Sequence, residues 1–171
     1  IGGRRPPAGT ESVPLICIGI DPGTANTGYG VVELRGTRFV ALDGGVVETA
    51  PADPIEQRLA VISERISAVI SEHRPDAMSL EDVYFGRNVG SALAVGHARG
   101  VAMLAAAQAG VPCASYTPQQ IKSSVCGSGR ADKHQVITMV QRLLALPEPP
   151  SPDHAADALA AAICHCSQVP S

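Results

Sequence analysis

Short runs of apolar, mostly β-branched residues dominate the first third of the chain. The run LICIGI over 15–20 ends at the sequence DPG over 21–23, which predicts a buried strand followed by a turn. Two further runs, over 28–34 and 39–49, are separated by a turn over 35–37. Successive short strands joined by tight turns indicate an antiparallel three-stranded meander.

Helical spacing of apolar residues begins after Asp53. Asp53 followed by Pro54 is typical of an N-cap and a first helical proline, and apolar residues then recur three or four positions apart until Arg74 and Pro75. The rest of the chain predicts, in order, a strand over 76–81, a long Ala- and Gly-rich helix over 89–109, a strand over 112–116, a helix capped by Thr117, a helix after the glycine loop 127–129, and a final Ala-rich helix capped by Asp153.

This order of elements predicts an α/β protein with a mixed five-stranded sheet flanked by helices. At 171 residues the chain has the length of a single domain. We expect that domain to span 15–167, with a flexible leader over 1–14 and a short tail over 168–171. Charged residues make up 17%, which argues against long disorder or a coiled coil. The longest low-charge stretch, 101–115, is too short and too interrupted to cross a membrane.

Charge is unevenly distributed along the chain. The net charge of the chain is −3. Segment 119–142, however, contains four basic residues and one acidic residue, Asp132. The bases are both lysines of the chain, Lys122 and Lys133, together with Arg130 and Arg142. A basic segment on an acidic body suits a phosphate backbone that meets metal-binding carboxylates. A solvated helix face is the alternative. The five cysteines contain no CxxC pair and are typical of a reduced, cytoplasmic protein.

Two carboxylates lie at the ends of predicted strands. Asp21 follows the first strand and Glu81 ends the fourth, so neighbouring strands would bring them to one edge of the sheet. Two such carboxylates repel each other unless a cation lies between them, and their hard oxygen atoms suit Mg²⁺ or Mn²⁺. Alternatively, Asp21 caps the turn that follows it and Glu81 is an exposed strand end.

The final helix contributes polar residues to its first turn. His154 and Asp157 are three positions apart and share a helix face, as do Asp153 and Asp157 at four positions. Asp157 lies in the otherwise apolar sequence AADAL, where a carboxylate that faces the sheet is costly without a partner. For Asp153 an ordinary N-cap is the simpler explanation, and His154 could equally be a solvated residue at the helix start.

Several motifs occur around these residues in a fixed order. IGIDPG over 18–23 is followed by TGYG over 27–30, and Glu81 begins the sequence EDVY. Together with four later segments they resemble the RuvC-type family of Holliday-junction resolvases over almost the whole chain, from 15 to 165. The later segments are Asn88, Ala98-Arg99-Gly100, the stretch GSGRADKHQV over 127–136 and AADAL over 155–159.

The resemblance implies an RNase H-like fold and a two-metal endonuclease that resolves four-way DNA junctions by paired nicks in recombination and repair. Asp21, Glu81, His154 and Asp157 would form the catalytic metal site, with two Mg²⁺ ions for which Mn²⁺ can substitute. Asp21 would bridge the metals, Glu81 and Asp157 would hold one each, and His154 would assist on the nucleophile side. The nicks would carry 5′-phosphate and 3′-hydroxyl ends.

Partner contacts follow from the same resemblance. Lys122, Arg130 and Lys133 would meet phosphates, and Tyr84 would stack on unpaired bases at the crossover. A homodimer matches the two-fold symmetry of the junction. Branch-migration proteins of the same pathway are expected partners, and a membrane is not. The spacing of small residues on the long helix points to the interface: Ala92, Gly96 and Gly100 lie one turn apart and form a ridge that lets another backbone approach closely, with packing against the chain's own sheet as the alternative.

Other classes of protein share single features of this sequence. The motif IGIDPGT over 18–24 also resembles the phosphate loop of the sugar kinase, actin and Hsp70 superfamily, but those proteins need two such domains. The small RNase H-like relatives linked to RNA maturation and a non-catalytic junction-binding module are further alternatives. The sequence Cys164-His165-Cys166 has too few neighbouring ligands for zinc.

Overall fold

The computed structural model describes residues 13–82 and 88–169, so the predicted leader falls mostly outside the described residues. Five strands and five helices occur in these ranges. In chain order they are β1 (Leu15–Asp21), β2 (Asn26–Arg35), β3 (Arg38–Glu48), α1 (Ile55–His73), β4 (Ala77–Glu81), α2 (Val89–Gln108), β5 (Cys113–Tyr116), α3 (Pro118–Cys126), α4 (Lys133–Leu143) and α5 (Asp153–Gln168).

The strands form one mixed sheet in the order β3-β2-β1-β4-β5. β1 pairs antiparallel with β2, and β2 with β3, which confirms the predicted meander. β4 joins β1 in parallel, and β5 joins β4 in parallel. The predicted α/β class with a mixed five-stranded sheet is therefore confirmed. Because β1 and β4 are parallel neighbours, their carboxyl ends, Asp21 and Glu81, lie at the same edge.

Helices cover both faces of the sheet. α1 and α2 pack on the face that carries Ile18, Ile20 and Leu80. α3, α4 and α5 cover the opposite face, which carries Cys17 and Val32. α5 is apolar around most of its circumference and is buried between the sheet and the two shorter helices, as expected for a helix without a polar face.

The predicted helix caps were partly right. Thr117 accepts a hydrogen bond from the backbone N–H of Gln120, whose side chain in turn accepts one from the Thr117 N–H, and so forms a capping box. The predicted caps Asp53 and Asp153 were wrong, because Pro54 and Pro152 occupy the N-cap positions of α1 and α5. Asp153 is instead the first helical residue, where a carboxylate still interacts favourably with the helix dipole.

Glycines allow α5 to lie directly on the sheet. A Cβ atom at Gly19 of β1 would stand 1.9 Å from the Ala158 carbonyl oxygen, and one at Gly28 of β2 would stand 2.0 Å from that of His154. Any side chain at either position would push the helix away. The first turn of α5 therefore comes to rest beside the carboxyl end of β1.

α2 is a crossover helix with an exposed apolar stripe. Its 20 residues and a mean hydropathy of 1.3 satisfy the length and composition of a membrane span, which the sequence pattern did not predict. In this structure, 22% of the apolar 18-residue segment of α2 is buried. In the structure, α2 connects the parallel strands β4 and β5 and packs beside α1. Six of its exposed residues lie alternately four and three positions apart along the helix: Val89, Leu93, Gly96, Gly100, Met103 and Ala107.

Candidate active site

Asp21 and His154 are in direct contact. Asp21 is the last residue of β1, and His154 lies in the first turn of α5, with its Nδ1 atom 2.7 Å from Asp21 Oδ2. The Asp21 side chain is mostly buried, whereas that of His154 is nearly half exposed. The hydrogen bond holds one carboxylate oxygen of Asp21 toward the imidazole, which restricts the rotation of both side chains.

Glu81 projects from the neighbouring strand toward the same layer of helices. Two residues earlier on β4, the fully buried Ser79 donates a hydrogen bond of 2.7 Å to the Ala161 carbonyl of α5. Side chains two apart on a strand share a face, so Glu81 also points to the α5 side of the sheet. It lines a cavity of about 230 Å³ together with Lys122, Lys133 and Asp157.

Asp157 lies one turn beyond His154 and carries an ion pair. The ammonium group of Lys133, the first residue of α4, donates to Asp157 Oδ2. Lys122 of α3 lines the same cavity. The two lysines that were predicted to meet DNA phosphates thus lie among the carboxylates, where they neutralise part of the negative charge.

Burial and mutual repulsion perturb the acids. Burial raises the pKa of Asp21, and the nearby charge of Asp157 raises it further, while the hydrogen bond from His154 opposes both. Burial likewise raises the pKa of Glu81, and the charges of Asp21 and Asp157 add to the effect. The site therefore carries more negative charge than its environment stabilises, which is the electrostatic signature of a cation site.

The donor set fits a hard divalent cation. Three carboxylates and one imidazole converge from β1, β4 and α5, and oxygen-rich groups of this kind suit Mg²⁺ and Mn²⁺. A divalent cation would remove the repulsion that raises the pKa values of Asp21 and Glu81. The residues present therefore fit the metal that the family resemblance implies.

One of the predicted DNA contacts, Arg130, lies elsewhere. Arg130 lines a separate groove of about 450 Å³ along α4, beside His134 and Arg142. This groove is adjacent to the carboxylate cavity because Lys133 and Val136 of the same helix line the latter. Tyr84 falls within 83–87, outside the described residues.

A second group of metal-ligand types lies on the other face of the sheet. Ligand atoms of Asp43, Glu72 and His73 all lie within 4.8 Å of one another. His73 Nε2 is 3.1 Å from Asp43 Oδ2, and the guanidinium of Arg65 interacts with both acids. The contact between His73 and Asp43 joins the last turn of α1 to β3, and the group lies apart from Asp21 and Glu81.

Sequence reasoning missed the role of Arg99. The sequence Ala98-Arg99-Gly100 was noted as part of a motif, without a function for the arginine. In the structure, Arg99 Nη1 donates to the Glu81 carbonyl at 2.7 Å and Nη2 donates to Ser115 Oγ at 2.6 Å. The signal available in the sequence was a lone arginine in an apolar helix, a position that requires buried or partly buried acceptors.

Sequence relatives share one description. The family profile described as "Crossover junction endodeoxyribonuclease RuvC" matches residues 17–165. A protein of that name from Pelotomaculum thermopropionicum is 50% identical over 151 residues, which cover 88% of this chain and 92% of the relative. The protein of that name from Desulforamulus reducens is 48% identical over 151 residues, 88% of this chain and 93% of the relative.

Solved structures agree with this likeness. The fold resembles Thermus thermophilus RuvC with a TM-score of 0.84 and 40% identity, over 90% of this chain and 94% of that one. The same protein in complex with a Holliday junction substrate gives a TM-score of 0.85, at 40% identity over 89% of this chain and 93% of that one. The yeast mitochondrial Holliday junction resolvase Ydc2 shares the fold alone, with a TM-score of 0.59 and 13% identity over 88% of this chain and 78% of that one.

The mixed sheet, with carboxylates at the ends of β1 and β4 and on α5, defines a nuclease domain of the RNase H-like class. The family within this class is given by the relatives near 50% identity and by the family profile that covers most of the chain. The chain belongs to the RuvC family of crossover junction endodeoxyribonucleases. Nucleases of this family depend on metal, and the acidic site described above provides suitable ligands.

Proposed function

We propose that this protein resolves four-way DNA junctions by paired, metal-dependent nicks that leave 5′-phosphate and 3′-hydroxyl ends. The observation that carries the proposal is the convergence of Asp21, Glu81, His154 and Asp157 at one edge of the sheet, in a chain of the crossover junction endodeoxyribonuclease family. The reaction serves homologous recombination and repair, in the cytoplasm, together with branch-migration proteins.

The catalytic roles follow from position and charge. Asp21, Glu81 and Asp157 are coupled electrostatically, because the charge of Asp157 raises the pKa of Asp21 and the charges of both raise that of Glu81. In the roles that the family resemblance implies, Asp21 would bridge two Mg²⁺ ions, for which Mn²⁺ can substitute, while Glu81 and Asp157 would hold one each. Two bound cations supply an activated water, neutralise the phosphate and stabilise the leaving oxygen.

His154 restricts Asp21 and lies at the solvent side of the site. Its imidazole is nearly half exposed, and Nδ1 contacts Asp21. Its Nε2 atom would therefore be the nitrogen that contacts a metal ion or a water molecule. This position suits assistance on the nucleophile side. The bond to Asp21 keeps the imidazole orientation fixed when DNA enters.

The lysines are placed to exchange partners when DNA arrives. Lys133 pairs with Asp157, and its side chain remains about half exposed. Asp157 would hold a metal ion in place of the Lys133 ammonium group, which would then be available to a phosphate of the scissile strand. Lys122 in the same cavity and Arg130 in the neighbouring groove extend the positive path, and Tyr84 would contact unpaired bases.

A homodimer through α2 would provide the second active site. Leu93 is 60% exposed, and a Cβ built on Gly96 or Gly100 meets no atom of the described residues within 4 Å. The alternative of packing against the chain's own sheet therefore does not describe Gly96 or Gly100, while Ala92 is half-buried. An exposed apolar stripe with a four-three spacing is suited to packing against a second helix.

The decisive experiment measures nicking of a labelled mobile four-way junction and of a linear duplex of the same sequence. We expect paired nicks on the junction with Mg²⁺ or Mn²⁺, none with EDTA, and none with Asp21→Asn. Asp153→Asn is the matched control, because Asp153 lies next to His154 on α5 and outside the site, and it should nick like the wild type. Binding of the junction without cleavage in either metal would indicate a binding module. Equal cleavage of the duplex would rule out junction resolution.

A separate experiment tests the dimer. Sedimentation analysis should show a dimer for the wild type and a monomer for Leu93→Glu. Val61→Glu is the control because Val61 is a similarly exposed apolar residue on α1, away from the stripe. A monomeric wild type in the presence and absence of junction would contradict the dimer, as would a Leu93→Glu protein that remains dimeric.

A further inference from the structure

Arg99 connects α2 to the strand that carries Glu81. Its guanidinium donates one hydrogen bond to the Glu81 carbonyl oxygen at 2.7 Å and another to Ser115 Oγ at 2.6 Å. One side chain thus joins α2 to the last residue of β4 and to β5. Bonds from a charged donor with two fixed nitrogen positions are stronger and more directional than neutral ones.

The contact lies where β1 stops pairing with β4, next to Glu81. The pairing between β1 and β4 ends at Ile20 and Leu80, one residue before Glu81. On the other side, β5 holds the strand end through the Asp82 N–H, which donates to the Tyr116 carbonyl at 2.8 Å. The Arg99 hydrogen bond therefore restrains the peptide unit that follows the Glu81 side chain, on the edge where β1 no longer does.

Arg99 acts from the face opposite to the chemistry. Glu81 and Ser79 point toward α5, whereas α2 packs on the other face of the sheet. Arg99 is absent from the residues that line the carboxylate cavity around Lys122 and Asp157. Arg99 therefore reaches the metal site through the Glu81 backbone that it contacts.

The same helix carries the exposed apolar stripe. Arg99 lies between Gly96 and Gly100, two stripe residues with open space around them. A helix packed against the stripe would fix the position of α2, and Arg99 would transmit that position to the Glu81 backbone.

We propose that Arg99 is a positioning residue that sets the Glu81 carboxylate for metal binding and couples it to the placement of the dimer helix α2. The proposal rests on the proposed function, since it assigns Glu81 to the metal site. It makes metal binding dependent on a residue outside the carboxylate cavity.

The test compares Arg99→Lys with the wild type, because lysine keeps the charge but cannot donate to both acceptors with the same geometry. The first readout is the shift of melting temperature on titration with Mg²⁺ in the absence of DNA. We expect the half-maximal Mg²⁺ concentration to rise at least about fivefold in Arg99→Lys. Single-turnover nicking at saturating junction should fall at least about tenfold at low Mg²⁺ and recover in part at high Mg²⁺ or with Mn²⁺.

Two control variants separate positioning from general stability. Arg58→Lys alters an arginine that donates to Thr49 Oγ1 at 2.9 Å, on α1 and away from Glu81, and should leave the Mg²⁺ dependence unchanged. Ser115→Ala removes the second anchor of Arg99 while keeping its bond to Glu81, and should cause a smaller change of the same sign.

The outcomes discriminate clearly. An Arg99→Lys protein with wild-type Mg²⁺ dependence overturns the proposal, as does a loss of nicking that only follows a lower melting temperature without a changed Mg²⁺ dependence. If the wild type fails to nick junctions, the proposed function fails. The Mg²⁺-induced shift in melting temperature still tests the role of Arg99 in that case, because it requires no DNA.

Discussion

Asp21 and His154 are separated by 133 positions in the chain, and their side chains meet at 2.7 Å. The contact joins the end of the first strand to the start of the last helix. It depends on the close approach of α5 to the sheet, which a side chain at Gly19 or Gly28 would prevent. The geometry of the acidic site therefore depends on the packing of α5 against the sheet.

We expect His154→Ala to lower the nicking rate by about 10- to 100-fold, the range found when a partner of a metal ligand is removed. The reason is that Asp21 loses the hydrogen bond that orients its carboxylate. His154→Asp should retain more activity, because a carboxylate supplies an oxygen ligand at the same place. Single-turnover rates with Mg²⁺ measure both. Equal activity of His154→Ala and wild type would remove His154 from the site.

Gly19→Ala should destabilise the protein by about 2–3 kcal/mol or more, since the added methyl group would lie 1.9 Å from the Ala158 carbonyl oxygen and the helix backbone would have to move. Urea unfolding measures the loss. Gly44→Ala is the control on the same face of the sheet, because its nearest described neighbour is 3.7 Å away. Similar losses in both variants would contradict the close-packing argument.

Replacing Glu81 by glutamine should raise the melting temperature in EDTA by about 1–3 °C, a modest shift because the group is only partly buried. Burial and the charges of Asp21 and Asp157 raise the pKa of Glu81, so its carboxylate costs stability when no cation is present. The variant should also lose most of the stabilisation by Mg²⁺. Glu64→Gln, on the exposed side of α1, is the control and should change neither quantity.

Lys122→Ala should reduce the slope of log affinity against log salt for junction binding by about 1, the change expected for one lost phosphate contact. Fluorescence anisotropy in EDTA measures it without cleavage. Arg38→Ala is the control, because Arg38 is exposed at the opposite end of the sheet, where β1 begins. An unchanged slope in Lys122→Ala would assign this lysine to the carboxylates alone.

His165 should make stability fall with pH below its ordinary pKa of 6.5. Burial lowers the pKa of His165 in the folded protein, and its Nδ1 lies 2.8 Å from the Tyr116 hydroxyl. The unfolded chain then binds more protons near pH 6. The contribution is complete above the unfolded-state pKa and is lost as pH falls toward the folded-state pKa.

His165→Asn tests this dependence because its amide oxygen can still accept from Tyr116 but does not titrate. The difference between urea midpoints at about pH 5 and about pH 7.5 should be smaller in the variant than in the wild type. His97→Asn provides the control, since His97 is an exposed histidine on α2. An equal pH dependence in wild type and His165→Asn would contradict the prediction.

Local pattern determined much of this protein. The order of strands and helices, the ends of β1 and β4 at Asp21 and Glu81, and the small residues of α2 follow from spacing and turn chemistry over short stretches. The predicted caps Asp53 and Asp153 were each wrong by one position: Asp53 precedes the N-cap Pro54, whereas Asp153 follows the N-cap Pro152 as the first helical residue. Aspartate is favoured both at the N-cap and in the first helical turn. A local rule cannot separate these two positions.

Side-chain partners were decided by the tertiary structure. The chain pattern brought Asp21 and Glu81 to one sheet edge, but it did not show that Lys133 would pair with Asp157 or that Arg130 would line a separate groove. These relationships depend on the positions of α4 and α5 relative to the sheet, and packing between segments that are distant in sequence determines those positions. Arg99 gives the same lesson, because its two acceptors lie on β4 and β5 and become neighbours only when α2 crosses between them.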